Sequence, residues 1–192
     1  MSKLYAYFDG QSFYASCKAY GFTPDYKLLT KWLRQRGDLV RAYYYTPTLP
    51  PDETGTQPMR PLLDWLQYNG FAIISKPSRE YSNGDGSKRT KCTLDVELAV
   101  DLVLDSARAD EIVLFSGDGS LRYAVQAAQR NCRIAVVSAL RLQPPQISDD
   151  LRRQADEFID LEDLRPIIGK EMKPEPTVME EKLGRRRATA EA

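Results

Sequence analysis

The stretch Ile112-Val-Leu-Phe-Ser-Gly-Asp-Gly-Ser120 constrains this chain most. A strand with one wet face alternates apolar and polar side chains, so four apolar residues in succession must be covered on both faces. Ser-Gly-Asp-Gly then ends the strand as the next helix begins. An open parallel α/β sheet accommodates such a strand, and in that architecture the carboxyl ends of the strands border the ligand crevice. Asp118 stands at that edge. Leu4-Tyr-Ala-Tyr-Phe-Asp-Gly10 repeats the pattern and brings Asp9 to the same edge if both strands lie near the sheet centre. Carboxylates held so close repel unless a proton or a cation lies between them.

The chain has 192 residues, 42% hydrophobic and 28% charged, enough for one domain with a full core and a tail. Lysine plus arginine and aspartate plus glutamate balance at 27 each, which excludes a general nucleic-acid coat. A nucleic-acid partner must therefore be held by a local patch. There is no histidine, which removes Ser-His and Cys-His nucleophile pairs and histidine-based zinc sites. Cys17, Cys92 and Cys132 form no C-x-x-C pair, and their odd number argues against a disulfide framework, leaving packing as their expected role. The N-terminus has no signal layout, and no run approaches the roughly 20 apolar residues of a membrane span. A cytoplasmic protein without membrane attachment is expected.

Along the chain, Ser12 is placed to cap a helix to about Tyr20, and Tyr26 to Arg36 reads as a second helix with Leu28, Leu29, Trp32 and Leu33 as its apolar stripe. Leu39 to Tyr45 is the next strand, its arginine and tyrosines within reach of the crevice, with packing and sheet pairing the preferred role. A polar, proline-rich loop from Pro47 to Pro58 leads into a helix from Arg60 to Tyr68, with Leu62, Leu63, Trp65 and Leu66 inward and Asn69-Gly70 as its stop. Phe71 to Ile74 is another buried strand. The β-α-β-α-β order with short connections predicts a parallel sheet covered on both faces.

The polar segment from Lys76 to Lys91 departs from that economy and predicts a small hairpin or flap with Asn83-Gly-Asp-Gly86 at its tip. It leaves the sheet at the edge that carries Asp9 and Asp118. Its Lys76, Arg79, Lys88, Arg89 and Lys91, against Glu80 and Asp85, form either a solvated surface or a phosphate-binding set. Thr93 is placed to cap the following helix, with Asp95 in the first turn, where a negative side chain suits the helix dipole. Leu94, Leu98, Leu102 and Val103 face inward, while Glu97, Asp101 and Asp105 read as a solvated acidic stripe. A helix from about Ser120, a strand from Arg133 to Val137, a short helix from Asp149, a brief strand at Phe158-Ile159 and a last turn through Leu164 complete the domain. The boundaries are 1–169 for the domain and 170–192 for a charged tail with too little apolar content to fold. That tail, with Arg185-Arg-Arg187, either contacts nucleic acid or is inert.

Asp9 and Asp118 from strand ends and Asp95 from a helix start thus converge. Each alone is as well explained as a turn former or a cap. Together, with no histidine available, they suit a hard divalent cation such as Mg²⁺ or Mn²⁺. Such a metal and nearby basic residues make phosphodiester hydrolysis the natural reaction class.

The blocks Phe8-Asp-Gly-Gln-Ser-Phe-Tyr14, Arg60-Pro-Leu-Leu-Asp-Trp-Leu66, Lys91 to Asp101, Phe115-Ser-Gly-Asp-Gly119 and Leu151 to Ile159 resemble the LabA-like branch of the NYN domain family, in order and at suitable spacing from about residue 3 to 169. The resemblance implies a PIN-like, Rossmann-like three-layer α/β/α sandwich with a mainly parallel central sheet, and metal-dependent cleavage of RNA. It carries the family's acids onto Asp9, Asp95 and Asp118 as catalytic metal ligands. Ser12, Ser116 and Ser120, with Arg79, Lys88 and Lys91, are the substrate-facing set. RNA is the implied partner, and a homodimer is the oligomeric state to test.

Two positions depart from the family pattern. Ser12 stands where Asp-Gly-x-Asn has asparagine, and Ser120 where Ser-Gly-Asp-x-Asp has its second acid. A hydroxyl is a neutral, weaker Mg²⁺ ligand, so a catalytically degenerate RNA-binding or scaffold module is the alternative. An aspartyl-nucleophile phosphatase is disfavoured because position 11, two residues after Asp9, is glutamine.

Overall fold

The computed structural model describes residues 2–48, 59–82, 88–91 and 93–171. The helical and extended segments alternate as β1 (Lys3–Asp9), α1 (Gly10–Ala19), β2 (Phe22–Pro24), α2 (Tyr26–Arg36), β3 (Asp38–Thr48), α3 (Arg60–Tyr68), β4 (Phe71–Pro77), β5 (Arg79–Ser82), β6 (Lys88–Lys91), α4 (Asp95–Ser106), β7 (Glu111–Phe115), α5 (Arg122–Ala128), β8 (Arg133–Ser138), α6 (Asp149–Gln154), β9 (Glu157–Asp160), α7 (Leu161–Ile168) and β10 (Gly169–Glu171). A 3-10 turn, Gly119–Leu121, leads into α5.

Six strands form one sheet in the order β4-β3-β1-β7-β8-β9, every pair parallel. Side chains alternate across it as strand geometry requires. Leu4, Ala6 and Phe8 of β1 join Val113 and Phe115 of β7 in a core closed by α1, α2, α3 and α7. Tyr5, Tyr7, Ile112 and Leu114 face the second core, under α4, α5 and α6. Both faces are therefore dry, which is why β1 and β7 read as unbroken apolar runs. The chain winds outward from β1 to β4, then returns to β7 on the other side of β1. That reversal puts the topological switch point, and the crevice it opens, between the carboxyl ends of β1 and β7.

Local signals account for several boundaries. Asp25 caps α2 by accepting from the N–H groups of Lys27 and Leu28 at 2.9 and 3.2 Å. Pro61 opens α3, and Gly70, at φ +87°, closes it. Cys17 and Cys132 are buried free thiols, and burial pushes Cys17 up to about 12, so both pack as expected. Cys92, the Pro47–Pro58 loop beyond Thr48 and the hairpin tip at 83–87 lie outside the described residues.

Other expectations need correction. Trp65 is 38% exposed rather than inward, while its neighbour Leu66 is fully buried. The apolar residues of α3 span an arc of about 160° at about 100° per residue, wider than the sheet face beneath the helix, so the residue at the arc's margin spills out. Leu28 of α2 is exposed for the same reason. Thr93 is not the cap of α4: Leu94 occupies that place without a side-chain bond. The acidic stripe is only partly solvated, since Tyr45 donates its hydroxyl to Asp101 at 2.8 Å and Tyr7 donates to Asp105 at 2.7 Å. Finally, Lys170 belongs to a strand: β10 pairs antiparallel with β2, and the Lys170 ammonium lies 2.8 Å from Asp25. Residues 172–192, the remainder of the expected tail, lie outside the described residues.

Candidate functional site

Asp9 is the last residue of β1 and also the cap of α1: its Oδ1 accepts from the Ser12 N–H at 3.2 Å. The cap is thus Asp9 and not, as the sequence suggested, Ser12. Asp118 does the same for the turn after β7, accepting from the Ser120 N–H at 2.8 Å. Each acid keeps its second oxygen for other partners. Ser116 joins them, donating its hydroxyl to Asp9 Oδ2 and accepting from the Asp118 N–H, both at 3.2 Å.

Ser116 is only 1% exposed, so its expected place in the substrate-facing set is corrected: its hydroxyl holds the two acidic loops together. Ser12 has a comparable task, its hydroxyl accepting from the Gly117 N–H at 3.4 Å. Ser120 is exposed at the rim. Arg79, Lys88 and Lys91 lie on the antiparallel pair β5 and β6, the two arms of the expected hairpin. Their side chains, and with them the phosphate-holding expectation, fall outside the described residues.

Asp9, Asp95 and Asp118 all line one open cavity of about 260 Å³. Gln11, Ser12 and Thr93 add polar edges, and Tyr45, Leu94 and Leu98 form an apolar wall. No basic side chain lines it among the described residues. Burial, together with the charge of Asp118, raises the Asp9 carboxyl, against the lowering effect of its Ser12 and Ser116 hydrogen bonds. Burial, Asp118, Asp9 and Glu97 raise that of Asp95. The acids therefore feel one another as uncompensated negative charge, which favours a bound cation. Among the described residues no group of three acidic or thiol side chains is set to hold an ion together. The donor chemistry fits a hydrated divalent cation held by one or two carboxylates, with waters completing its shell.

Sequence reasoning missed Gln11 in this lining and ranked packing above the crevice for Tyr45. An aromatic in a β-rich run carries no mark separating a packing role from a pocket wall, and Tyr45 fills both: it is 2% exposed, and its hydroxyl anchors α4 through Asp101.

The motif glycines are explained by close approach. A Cβ on Gly117 would be driven into the Gln146 carbonyl oxygen, and one on Gly10 would lie 2.8 Å from the Tyr45 carbonyl oxygen. Gly117→Ala is expected to destabilise the fold by about 1–3 kcal/mol, because backbone must shift to admit the methyl. A chemical denaturation midpoint measures it, and an unchanged midpoint would contradict this packing.

Fold and crevice together define the class: a parallel α/β/α sandwich with an acid-rimmed pocket at its topological switch point. The NYN domain model matches residues 3–162. Over 182 residues, 92% of this chain and 93% of the relative, the sequence is 33% identical to the low amplitude and bright protein LabA of Synechococcus elongatus. The crystal structure of a protein of unknown function from Vibrio parahaemolyticus is similar at a TM-score of 0.66 and 25% identity, covering 87% of this chain and 96% of that one. The chain belongs to the NYN domain family, in its LabA-like branch, a family of PIN-like nuclease type. Among the described residues no helix is long and apolar enough to cross a membrane.

Proposed function

We propose that this protein is a metal-dependent endoribonuclease acting in the cavity between the ends of β1 and β7. The observation that supports the reading is that three carboxylates from separate elements line one cavity without a basic side chain among its described lining residues. Asp9, Asp95 and Asp118 would hold Mg²⁺ or Mn²⁺, directly or through water. When bound, the ion makes a water more acidic and offsets charge on a phosphate. Burial and the neighbouring acids raise the Asp95 carboxyl, which suits an oxygen that is not bound to the ion to accept a proton from the attacking water. Ser116 keeps Asp9 and Asp118 in register, and the wall of Tyr45, Leu94 and Leu98 limits water on one side. Gln11, Ser12 and Thr93 offer hydrogen bonds to the phosphate and sugar.

The test is cleavage of labelled single-stranded RNA by the purified full chain, with Mn²⁺ or Mg²⁺ titrated and metal binding read in the same samples. Metal-dependent cleavage that Asp118→Asn abolishes supports the reading; equal cleavage by the variant reveals a contaminant and sinks it. The second reading, an RNA-binding module that no longer cuts, is favoured by the uncharged Ser12 and Ser120. Ser12→Asn with Ser120→Asp separates the two. A gain of tenfold or more, on the order of what a single outer group contributes to a metal site, marks the native site as degenerate. An unchanged rate means that the missing groups do not limit the reaction.

A further inference from the structure

Two neighbouring grooves on the α1, α2 and α3 side lie outside the acid cavity. The first, about 430 Å³, is lined by Tyr14, Lys27, Leu62 and Trp65. The second, about 600 Å³, runs between α2 and α3 past Lys27, Lys31, Arg34, Trp65 and Asn69. They share Lys27 and Trp65, which makes them one surface. Gln11, on the acid cavity, and Tyr14, on the first groove, are three residues apart on α1, and so lie on one face of its first turn. The surface therefore begins where the acid cavity ends.

Lys27, Lys31 and Arg34 repeat at i, i+4 and i+7, a line of positive charge along one face of α2. All three are exposed, and among the described residues none has a carboxylate within 4.0 Å. Asp25, the carboxylate on the first groove, is already paired with Lys170 and caps α2. Trp65 is 38% and Tyr14 43% exposed, large rings that the core leaves uncovered. Free cations in a row beside open aromatic faces match a polyanion that also carries flat rings. A single strand offers its bases for stacking, whereas a duplex hides them and an acidic polypeptide has none.

We propose that this surface, running from Tyr14 over Trp65 to Lys27, Lys31 and Arg34, binds the flanking segment of single-stranded RNA and leads it to the acid cavity. The inference rests on the ribonuclease reading and names the part of the protein that selects unpaired RNA. Phosphates lie along α2, and a base stacks on the Trp65 indole. The chain uses α3's misfit indole, which burial rejected, as its stacking platform.

Binding of a fluorescently labelled oligouridylate to the full chain, in excess chelator so that no cleavage intervenes, tests it across a salt series. Lys31→Gln with Arg34→Gln is expected to weaken binding roughly tenfold and to make the log–log salt slope shallower by about 1.4, two phosphates at about 0.7 each. Trp65→Ala should weaken binding roughly 5- to 150-fold with the slope unchanged, and Trp65→Phe should restore most of it. These side chains are exposed, and a thermal melt of each variant reports its fold. If wild type binds and cleaves RNA but the variants match it in affinity and slope, the groove is excluded and the nuclease reading stands. If the variants lose binding while wild type shows no cleavage with any metal, the groove stands and the nuclease reading falls. Binding of polyglutamate in place of oligouridylate overturns the RNA assignment.

Discussion

Asp9→Asn is expected to lower RNA cleavage by at least about 100-fold, the upper end of what a merely orienting residue costs at a metal site, while raising the melting temperature. The two effects share one cause. Burial and the Asp118 charge hold the Asp9 carboxyl above the ordinary carboxylate value, so the folded protein binds its proton more tightly than the unfolded chain does. Between the ordinary value and the raised one, stability falls as pH rises, and above the raised one the full cost of the ionised carboxylate is carried. Asparagine removes that charge but keeps an oxygen to accept from the Ser12 N–H. Melting curves of both proteins should separate at neutral pH and converge as pH falls below about 3.8. A variant that melts lower than wild type at neutral pH, or cleaves at the native rate, would contradict this account. It is the usual conflict of an active site: the charge that does chemistry is one the fold would rather be without.

Phe8→Ala is expected to have the largest effect on stability. Phe8 is fully buried, stacked on Phe115 at 4.1 Å between ring centroids, with Phe13, Phe71 and Tyr44 at 5.5, 5.8 and 6.1 Å. Truncating a core phenylalanine costs about 3–5 kcal/mol, a large part of the roughly 5–15 kcal/mol that holds a domain together. The melting temperature should drop by about 6–20 °C, at about 2–4 °C per kcal/mol for a domain of this size. Because Phe8 precedes Asp9 at the end of β1 and Phe115 ends β7 just before Asp118, the same cavity loosens the frame of the site. A denaturant midpoint that moves by less than the equivalent of about 1 kcal/mol would show that neighbouring rings refill the space.

The resemblance and the residues both placed the acids, but they acted at different levels. β1 and β7 were legible because strands covered on both faces cannot alternate, and the acid-glycine pairs after them mark their carboxyl ends. The helices α2 and α3 were legible because an apolar stripe and a stop are local: Leu28, Leu29, Trp32 and Leu33 mark α2, and Asn69-Gly70 ends α3 after Tyr68. The pairing of β2 with β10 was not, since three residues at each end of the domain carry no signal of a partner so far along the chain. Nor was the anchoring of α4. A helical wheel turns Asp101 and Asp105 away from the apolar face, yet the hydroxyls of Tyr45 and Tyr7 reach them from the sheet.

What this sequence determined alone was the alternation of dry strands and amphipathic helices, the side of the sheet on which charge gathers, and the absence of histidine chemistry. Those follow from periodicity and residue type, which act over one or two turns of chain. The tertiary structure decided which polar groups lose water. Ser116 was buried to join the two acidic loops, Tyr45 became at once a wall of the cavity and an anchor for α4, and Trp65 was left outside because α3 carries more apolar surface than the sheet beneath can cover. Desolvation depends on every neighbour in space, and no window of sequence contains them all.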